Sequence, residues 1–551
     1  MAATAEEQSP AAAAASTSPR QLTKPKSGTG DSSSEHFFSA IGVKKGALLG
    51  WTNMQSSPFV ITANAQRVGA DGRLDGKPMK LEAGFIEGGP KFVDLGGDKI
   101  GALWKSGGAS LKAAVIDAKK GKAGNSVTVL ASQNASFVHD MALLGKDKVA
   151  AVTRRAPGFN DEDTVLIVMN AKTLKPAGSP KIIEDDVPAP LGAATYEQAI
   201  TSYDGGAVAL FRDKDAQITG VPVNAKGKTG KPFQVNSTAL LPFSFLSSYA
   251  GFRVKGAELD DGGYVAAWTL HDVGNNLNFD IRARVFDKKG KPVGPDFIVN
   301  QDLVGSQVGP EILPLKKGFA VAWNDKATLG FVTQIVRYFD GEGEPISDEI
   351  VTQYFDAGVP FPSSDDSDSA RLPGDAYLKV YGSNGSSGVA ALYADGLPAP
   401  KIGSDEGETT DGGSAAETII AAGGDDDVDA GSGDDTVDGG DGEDTIAGGP
   451  GRNLIIGGLG DDEITAGADA EVFVFSPGQG TDVITGFGAD DRIDVSAFQY
   501  NQKGNVRLDA KQDGADVLIT LDGVSNPAKP VTVVRLKNKA LAEFTDDNII
   551  L

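Results

Sequence analysis

The apolar positions of this chain keep two different periods. From about residue 36 to 400 they alternate with polar ones over short stretches bounded by turn residues, which predicts β-strands rather than helices. The clearest stretch is DGGYVAAWTLHDVGNNLNFDIRARVFDKKGKPVGPDFIVN at 261–300. It reads as a strand ending in Trp268, a loop, a strand ending in Phe286, a Gly-Lys-Pro turn and a strand at 297–299. The large residue closing the first of these strands recurs as Trp51, Trp104, Thr153 (a departure), Phe211, Trp268, Trp323 and Tyr381, at intervals of 49 to 58 residues. The turn recurs as Gly76-Lys77-Pro78, Gly230-Lys231-Pro232, Gly290-Lys291-Pro292 and, more loosely, Gly343-Glu344-Pro345. A fourth strand fits ahead of each Gly-Gly, as at 252–259 and 308–315. Seven such units of about four strands predict a β-propeller, where radial repetition protects the sheet edges. A long β-solenoid is the alternative, although its rungs would normally be shorter than this period.

From 421 to 465 the period falls to nine residues: AAGGDDDVD, AGSGDDTVD, GGDGEDTIA, GGPGRNLII, GGLGDDEIT. Position six holds Asp426, Asp435, Asp444, Asn453 and Asp462, and position eight holds Val428, Val437, Ile446, Ile455 and Ile464. The glycines allow a tight turn with positive φ and inward carbonyls, and the aspartate sets a carboxylate at its end. The three residues that follow make a minimal strand whose middle, aliphatic side chain faces a core. Carbonyls plus carboxylates from stacked turns suit calcium, which takes about six to eight hard oxygen ligands. A flexible acidic linker is the bland alternative, but such a linker has no reason to hold an aliphatic residue in register.

These nonapeptides resemble the RTX (hemolysin-type) calcium-binding repeats of bacterial proteins exported by type I secretion. The resemblance implies a parallel β-roll with two nonapeptides per turn and each ion between one turn loop and the loop two units on. Carried over, it sets Gly424 and Asp426 opposite Gly440, Gly442 and Asp444; Gly431, Gly433 and Asp435 opposite Gly449, Gly451 and Asn453; and Gly440, Gly442 and Asp444 opposite Gly458, Gly460 and Asp462. It makes Asp444 a central ligand and Asp426 one at the edge. Asn453 departs by offering an amide, and Ala422 and Ala430 depart where glycine is usual. Degenerate units at 412–420 and 466–474, with Glu417 and Glu471 at position six, read as caps. Residues 469–499 are similar to the segment closing the β-roll of serralysin-type proteases before a small β-sandwich; Asp482, Asp491 and Asp494 there are either further ion ligands or turn caps.

Charge sharpens this division. The net charge is −24, and residues 402–451 hold fifteen Asp or Glu and no Lys or Arg. After 451 come sixteen acids and nine bases, which leaves the first 401 residues close to neutral. No basic patch points to nucleic acid. The chain has no cysteine, so disulfides, Cys-ligated zinc and a Cys nucleophile are excluded. No apolar run is long enough for a transmembrane helix. The stretch MAATAEEQSPAAAAASTSPRQ has glutamates where a secretory signal needs positive charge, and residues 1–35 read as a disordered tail. The final FTDDNIIL resembles an uncleaved type I secretion signal or is an ordinary last strand.

Catalytic motifs are missing. There is no HExxH, GxSxG or P-loop, and His36, His139 and His271 form no ligand pair. The pairs His139-Asp140 and His271-Asp272 read as surface-loop pairs rather than catalytic ones, and the strand-end tryptophans as blade core rather than a ligand platform. The expectation is an all-β chain: a tail at 1–35, a β-propeller-like repeat domain at 36–400, a linker at 401–411, an RTX β-roll at 412–499, and C-terminal strands at 500–551. Its expected role is that of a secreted, extracellular or cell-surface bacterial protein, more a binder than an enzyme. It would bind several Ca2+ ions, leave the cell through a type I apparatus, and engage a macromolecule or glycan through the propeller. A carboxylate-pair hydrolase on the propeller and a calcium-dependent surface-layer or matrix component are the alternatives.

Overall fold

The computed structural model describes residues 20–21, 33–56, 59–69, 74–84, 86–107, 110–131, 135–158, 161–188, 198–215, 217–237, 253–271, 279–301, 306–326, 332–355, 362–371, 377–384, 390–397, 400–498, 500, 510–521 and 531–551. They are strands, turns and short 3-10 segments. The chain divides into two compact units, 19–344 with 355–397 and 345–354 with 398–551.

The first unit is a ring of antiparallel sheets, mostly four-stranded. Their leading strands are Ser33–Val43, Ile86–Gly96, Ala135–Leu144, Ala199–Tyr203, Val254–Glu258, Ser306–Pro314 and Pro362–Arg371. Each of the seven lies beside the next, and Pro362–Arg371 lies beside Ser33–Val43. A solenoid does not return to its start, so the propeller-like arrangement is the one this unit adopts. The last sheet takes its outer strand from the opposite end of the unit, where Arg20 pairs with Ala394 and Gln21 with Tyr393. Two parts of the expected N-terminal tail are therefore strand, Arg20–Gln21 and the start of Ser33–Val43, while its remainder lies outside the described residues.

The recurrent aromatic lies on the second strand of each sheet, behind the strand expected ahead of each Gly-Gly, as Val254–Glu258 and Ser306–Pro314 show. Trp51, Trp104, Thr153, Phe211, Trp268, Trp323 and Tyr381 lie on Gly46–Ser56, Lys99–Ser106, Lys148–Gly158, Gly206–Arg212, Tyr264–His271, Phe319–Lys326 and Tyr377–Asn384. The first six of these side chains are buried, which is blade packing and not a ligand platform. The core is a set of layers between neighbouring sheets. One joins Ala150, Val152 and Leu166 to Ala209, Phe211 and Val221, residues of the third and fourth sheets. A second recurrent device caps the third strands. Asn224, Asp287 and Asp340 each accept two or more backbone N–H groups through Oδ1, from residues two to four positions on. This is the Asx turn that leads into the outer strand.

The second unit is a parallel β-roll. Lys401–Ser404, Thr418–Ala422, Thr436–Asp441, Leu454–Leu459, Val472–Val474, Arg492–Asp494 and Ile549–Ile550 build one sheet. Thr409–Gly413, Asp427–Gly431, Thr445–Ala447, Glu463–Thr465 and Thr481–Thr485 build the other, extended by Thr532–Leu536, Asp516–Leu521 and Ala510–Asp513. Partners are two nonapeptides apart, as in Val437 with Ile455 and Val428 with Ile446. Val428, Val437, Ile446, Ile455 and Ile464 fill the space between the sheets, with Phe473, Ile484, Ile493 and Val534 continuing it.

Two expected boundaries move. Residues 401–411, expected as a linker, form the first rung, since Lys401–Ser404 and Thr409–Gly413 pair in register with the strands that follow. Glu408 stands at position six of this rung, and its alanine-free, acidic spelling hid it among linker-like residues. Residues 345–354 belong with the roll, where Asp348 N donates to Asp438 Oδ2 and Gln479 Nε2 donates to Asp348 Oδ2.

The tryptophans of the first unit differ in one respect. Trp104 Nε1 donates to Glu82 Oε2 at 2.5 Å, a carboxylate also held by Ser106 Oγ and Lys112 Nζ, whereas the buried Trp268 Nε1 has no partner. Trp104→Phe is expected to cost about 1.5 kcal/mol or more beyond Trp268→Phe, because it breaks a bond to a charged group while the other removes an unpaired buried donor. Urea unfolding followed by circular dichroism checks the order; equal losses would contradict it.

Candidate metal centre

The turns of the roll stack into two columns, one along each edge. The first carries Glu408, Asp426, Asp444, Asp462 and Asp482 at position six, and the second Glu417, Asp435, Asn453, Glu471 and Asp491. Within a column each carboxylate reaches back to the rung before it. Asp426 Oδ1 accepts from Glu408 N at 2.8 Å, Asp444 Oδ1 from Asp426 N at 2.8 Å, Asp462 Oδ1 from Asp444 N at 3.0 Å, and Asp482 Oδ1 from Asp462 N at 3.1 Å. One oxygen of every aspartate thus does backbone work.

The other oxygen is satisfied only at Asp491, where Oδ2 accepts from Gly488 N. Among the described residues Oδ2 of Asp426, Asp435, Asp444, Asp462 and Asp482 is buried and has no hydrogen-bond partner. A buried polar atom without a partner costs about 1–3 kcal/mol, and more when charged. The backbone beside it is bare for the same reason. A Cβ placed on Gly439 would lie 2.4 Å from Asp444 Oδ2, and one on Gly457 would lie 2.2 Å from Asp462 Oδ2. The expected facing glycines do stack, since a Cβ on Gly442 would meet Gly424 O at 2.0 Å, one on Gly451 would meet Gly433 O at 1.7 Å, and one on Gly458 would meet Gly440 O at 1.9 Å. Gly460 likewise lies against Gly442, and Gly449 against Gly431. All nine of the glycines expected to flank an ion have positive φ. Ala422 also has positive φ, at 83°, and there an alanine carries the strain that glycine avoids.

The arrangement fits a hard cation. Hard oxygens converge without donors, and among the described residues no three Asp, Glu or His side chains gather at one point, so backbone carbonyls would complete the shell. Bound there, calcium would supply the positive charge that the column lacks. Electrostatics agree. Burial, followed by the neighbouring Asp462, Asp426 and Asp425 charges, pushes Asp444 up to about 7 against the opposing hydrogen bond from Asp426 N. Burial raises Asp426, Asp435, Asp462, Asp482 and Glu471 as well.

Sequence reading missed some members of the columns and misplaced others. Asp426 is not at an edge, because the Glu408 rung precedes it. Asp482 and Asp491 occupy position six of later rungs at a spacing of 20 instead of 18 residues. Both stood among the possible further ion ligands, but two-residue insertions hid their register, which the match of Val483 to Glu463 and of Arg492 to Val472 restores. Glu417 behaves as a cap, with Gly413 N and Lys401 Nζ donating to it. Glu471 is buried, and burial and the Asp491 charge raise its carboxyl against a backbone hydrogen bond from Gly467, the residue equivalent to Gly413. Asp494 Oδ1 accepts from Ser496 N, as a turn cap does.

Residues 411–446 and 438–470 match the family model described as RTX calcium-binding nonapeptide repeat, in four copies. These residues are RTX repeats folded as a β-roll, and the repeats imply calcium binding. Among solved structures, the chain is similar to the β-propeller domain of the Trilobed protease from Pyrococcus furiosus at 10% identity, covering 68% of this chain and 94% of that one, with a TM-score of 0.39. It is similar to a protein of unknown function from Dyadobacter fermentans at 10% identity, covering 69% and 99%, with a TM-score of 0.37. The AlgE6R3 subunit of the Azotobacter vinelandii mannuronan C5-epimerase shares 23% identity, with 27% and 78% covered and a TM-score of 0.20. No curated protein matches the chain.

The raised carboxyl values set a pH dependence with a definite sign. Without calcium the folded roll binds protons more tightly than the unfolded chain, so its stability is present below the unfolded carboxylate value of about 4 and is lost as pH rises through the folded values. With calcium chelated, circular dichroism of the full chain should report more order at about pH 5 than at about pH 8, and excess calcium should reverse the trend because the ligands must be deprotonated. A pH-independent spectrum in chelator would contradict it.

Proposed function

We propose that this is a secreted calcium-binding protein whose C-terminal unit folds on meeting extracellular Ca2+, and whose propeller-like unit engages a macromolecule or glycan. The observation that carries the first part is the repeated, buried Oδ2 without a donor at Asp426, Asp435, Asp444, Asp462 and Asp482. Extracellular modules bind calcium at roughly 10⁻⁴ to 10⁻³ M, far above free cytosolic levels, so the roll would stay unfolded inside the cell and fold outside. The fourteen residues assigned to the ions are Gly424, Asp426, Gly431, Gly433, Asp435, Gly440, Gly442, Asp444, Gly449, Gly451, Asn453, Gly458, Gly460 and Asp462. To these the columns add Asp482.

Export through a type I channel fits the same physics. Ile549 and Ile550 pair with Ile493 and Asp494 in the folded roll, Ile549 is buried, and Asn548 Nδ2 donates to Asp491 O. A signal in these last residues is therefore readable only before the roll forms, which is the state that low calcium maintains. Ligand binding by the first unit is supported by its closed ring of sheets and its near-neutral charge. Among the described residues no helix is long and apolar enough to cross a membrane.

Limited proteolysis of the full chain tests the folding claim. In chelator, cleavage should fall between 401 and 551 while the first unit survives, and millimolar calcium should protect the whole chain; identical digestion patterns would refute conditional folding. Export is tested separately, in cells. Deleting about the last 50 residues should retain the protein, and deleting residues 1–35 should not; retention by the second deletion alone would overturn the route.

A further inference from the structure

One rung of the second column solves the charge problem differently. At Asn453 the side chain is fully buried, and its Oδ1 accepts from Asp435 N at 2.9 Å, as an aspartate's would. Its other atom is the exception. Asn453 Nδ2 donates to Gly448 O at 2.7 Å and to Gly449 O at 3.3 Å. In the neighbouring rungs the atom at this place is an oxygen, Oδ2 of Asp444 beside Gly439 and Oδ2 of Asp462 beside Gly457, and it has no donor. The position just before pairs the adjacent turn on its exposed side. Arg452 N donates to Asp434 Oδ1 and its guanidinium forms a 2.9 Å ion pair with Asp434 Oδ2. Burial pushes the Asp434 carboxyl up, but these two Arg452 bonds outweigh it and hold the group below the usual range.

We propose that the turn at 448–453 takes no calcium ion, because the Asn453 amide occupies the place of the cation. This rests on the calcium reading of the columns and narrows it. The two turn carbonyls that a cation would draw together are already drawn together by N–H groups, and an amide nitrogen is not a calcium ligand. The second column therefore holds fewer ions than the first. It also has, in the middle of the array, a rung that needs no ion of its own.

Acid and amide are isosteric, so the two can be exchanged in the full chain. Calcium bound at saturation is counted per chain by equilibrium dialysis and elemental analysis, with calcium alone as the probe. Asn453→Asp should gain one ion, and Asp444→Asn should lose at least one, its new amide being placed to donate to the carbonyl at Gly439. No gain in Asn453→Asp alongside a loss in Asp444→Asn would overturn this proposal and leave the calcium reading intact. No calcium on the parent protein, or no loss in Asp444→Asn, would overturn the calcium reading and this proposal with it. Proteolysis gives a second readout: in chelator Asn453→Asp should be cut faster between 436 and 474 than the parent, and equal rates would count against the self-satisfied rung.

Discussion

Everything in the C-terminal unit turns on a carboxylate oxygen that nothing in the protein satisfies. Each column aspartate spends Oδ1 on the backbone N–H of the rung before it, and all but Asp491, whose Oδ2 accepts from Gly488 N, leave Oδ2 buried without a hydrogen bond among the described residues. Taking a charge out of water without a partner costs several kcal/mol, whereas the single Val or Ile that each rung buries contributes about 1.5–3 kcal/mol. Five such oxygens exceed what a domain of marginal stability, about 5–15 kcal/mol, can carry uncompensated. Protons or cations must therefore enter the fold. At neutral pH, cations are the supply that the outside of a cell offers.

The rungs that escape the problem show the same rule from the other side. Glu408 is held by Ser404 N and Oγ, and Glu417 by Gly413 N and Lys401 Nζ, so the first rung of each column closes with donors from its own turn and strand. Asn453 closes its turn with its own amide. Donors, where they are present, come from residues at most 16 positions away, which makes each rung's choice a local property of its spelling.

How much of this could be read in advance follows from that locality. The aliphatic residue at position eight and the acid at position six recur at a fixed spacing, so the roll, its core and its ion-facing turns were visible in the sequence from 412 to 474. Glu408, Asp482 and Asp491 were not recognised as column members, because the first stands in a rung without the glycine pair and the others follow two-residue insertions. The role of Asn453 was invisible for another reason, since an amide and a carboxylate look alike until the partners of Nδ2 are known. In the first unit the spaced Trp and Phe residues, which lie on second strands, revealed the period, and the Asx turns at Asn224, Asp287 and Asp340 proved as regular a marker. The pairing of Arg20–Gln21 with the last sheet joins residues more than 370 apart, and no local pattern announces it.

The two units thus reach order by opposite means. The ring of sheets is near neutral, packs apolar layers between neighbours and has ion pairs such as Arg282 with Asp296 at 2.8 Å, so its folding needs no outside charge. Its constraint is topological: the ring closes when 33–43 meets 362–371 and the last sheet gains its outer strand when 20–21 reaches 390–397, and non-local closure of this kind is slow. The roll has the reverse profile, with the partners of its repeats 18 or 20 residues apart and a requirement for cations. Under C-terminus-first export, the unit with local contacts and an ion requirement would emerge first into calcium and fold at once. The ring would be completed only when its first strand, the last to leave, had arrived. On that proposed route a folded roll outside would oppose backward movement during the interval in which the ring is still open.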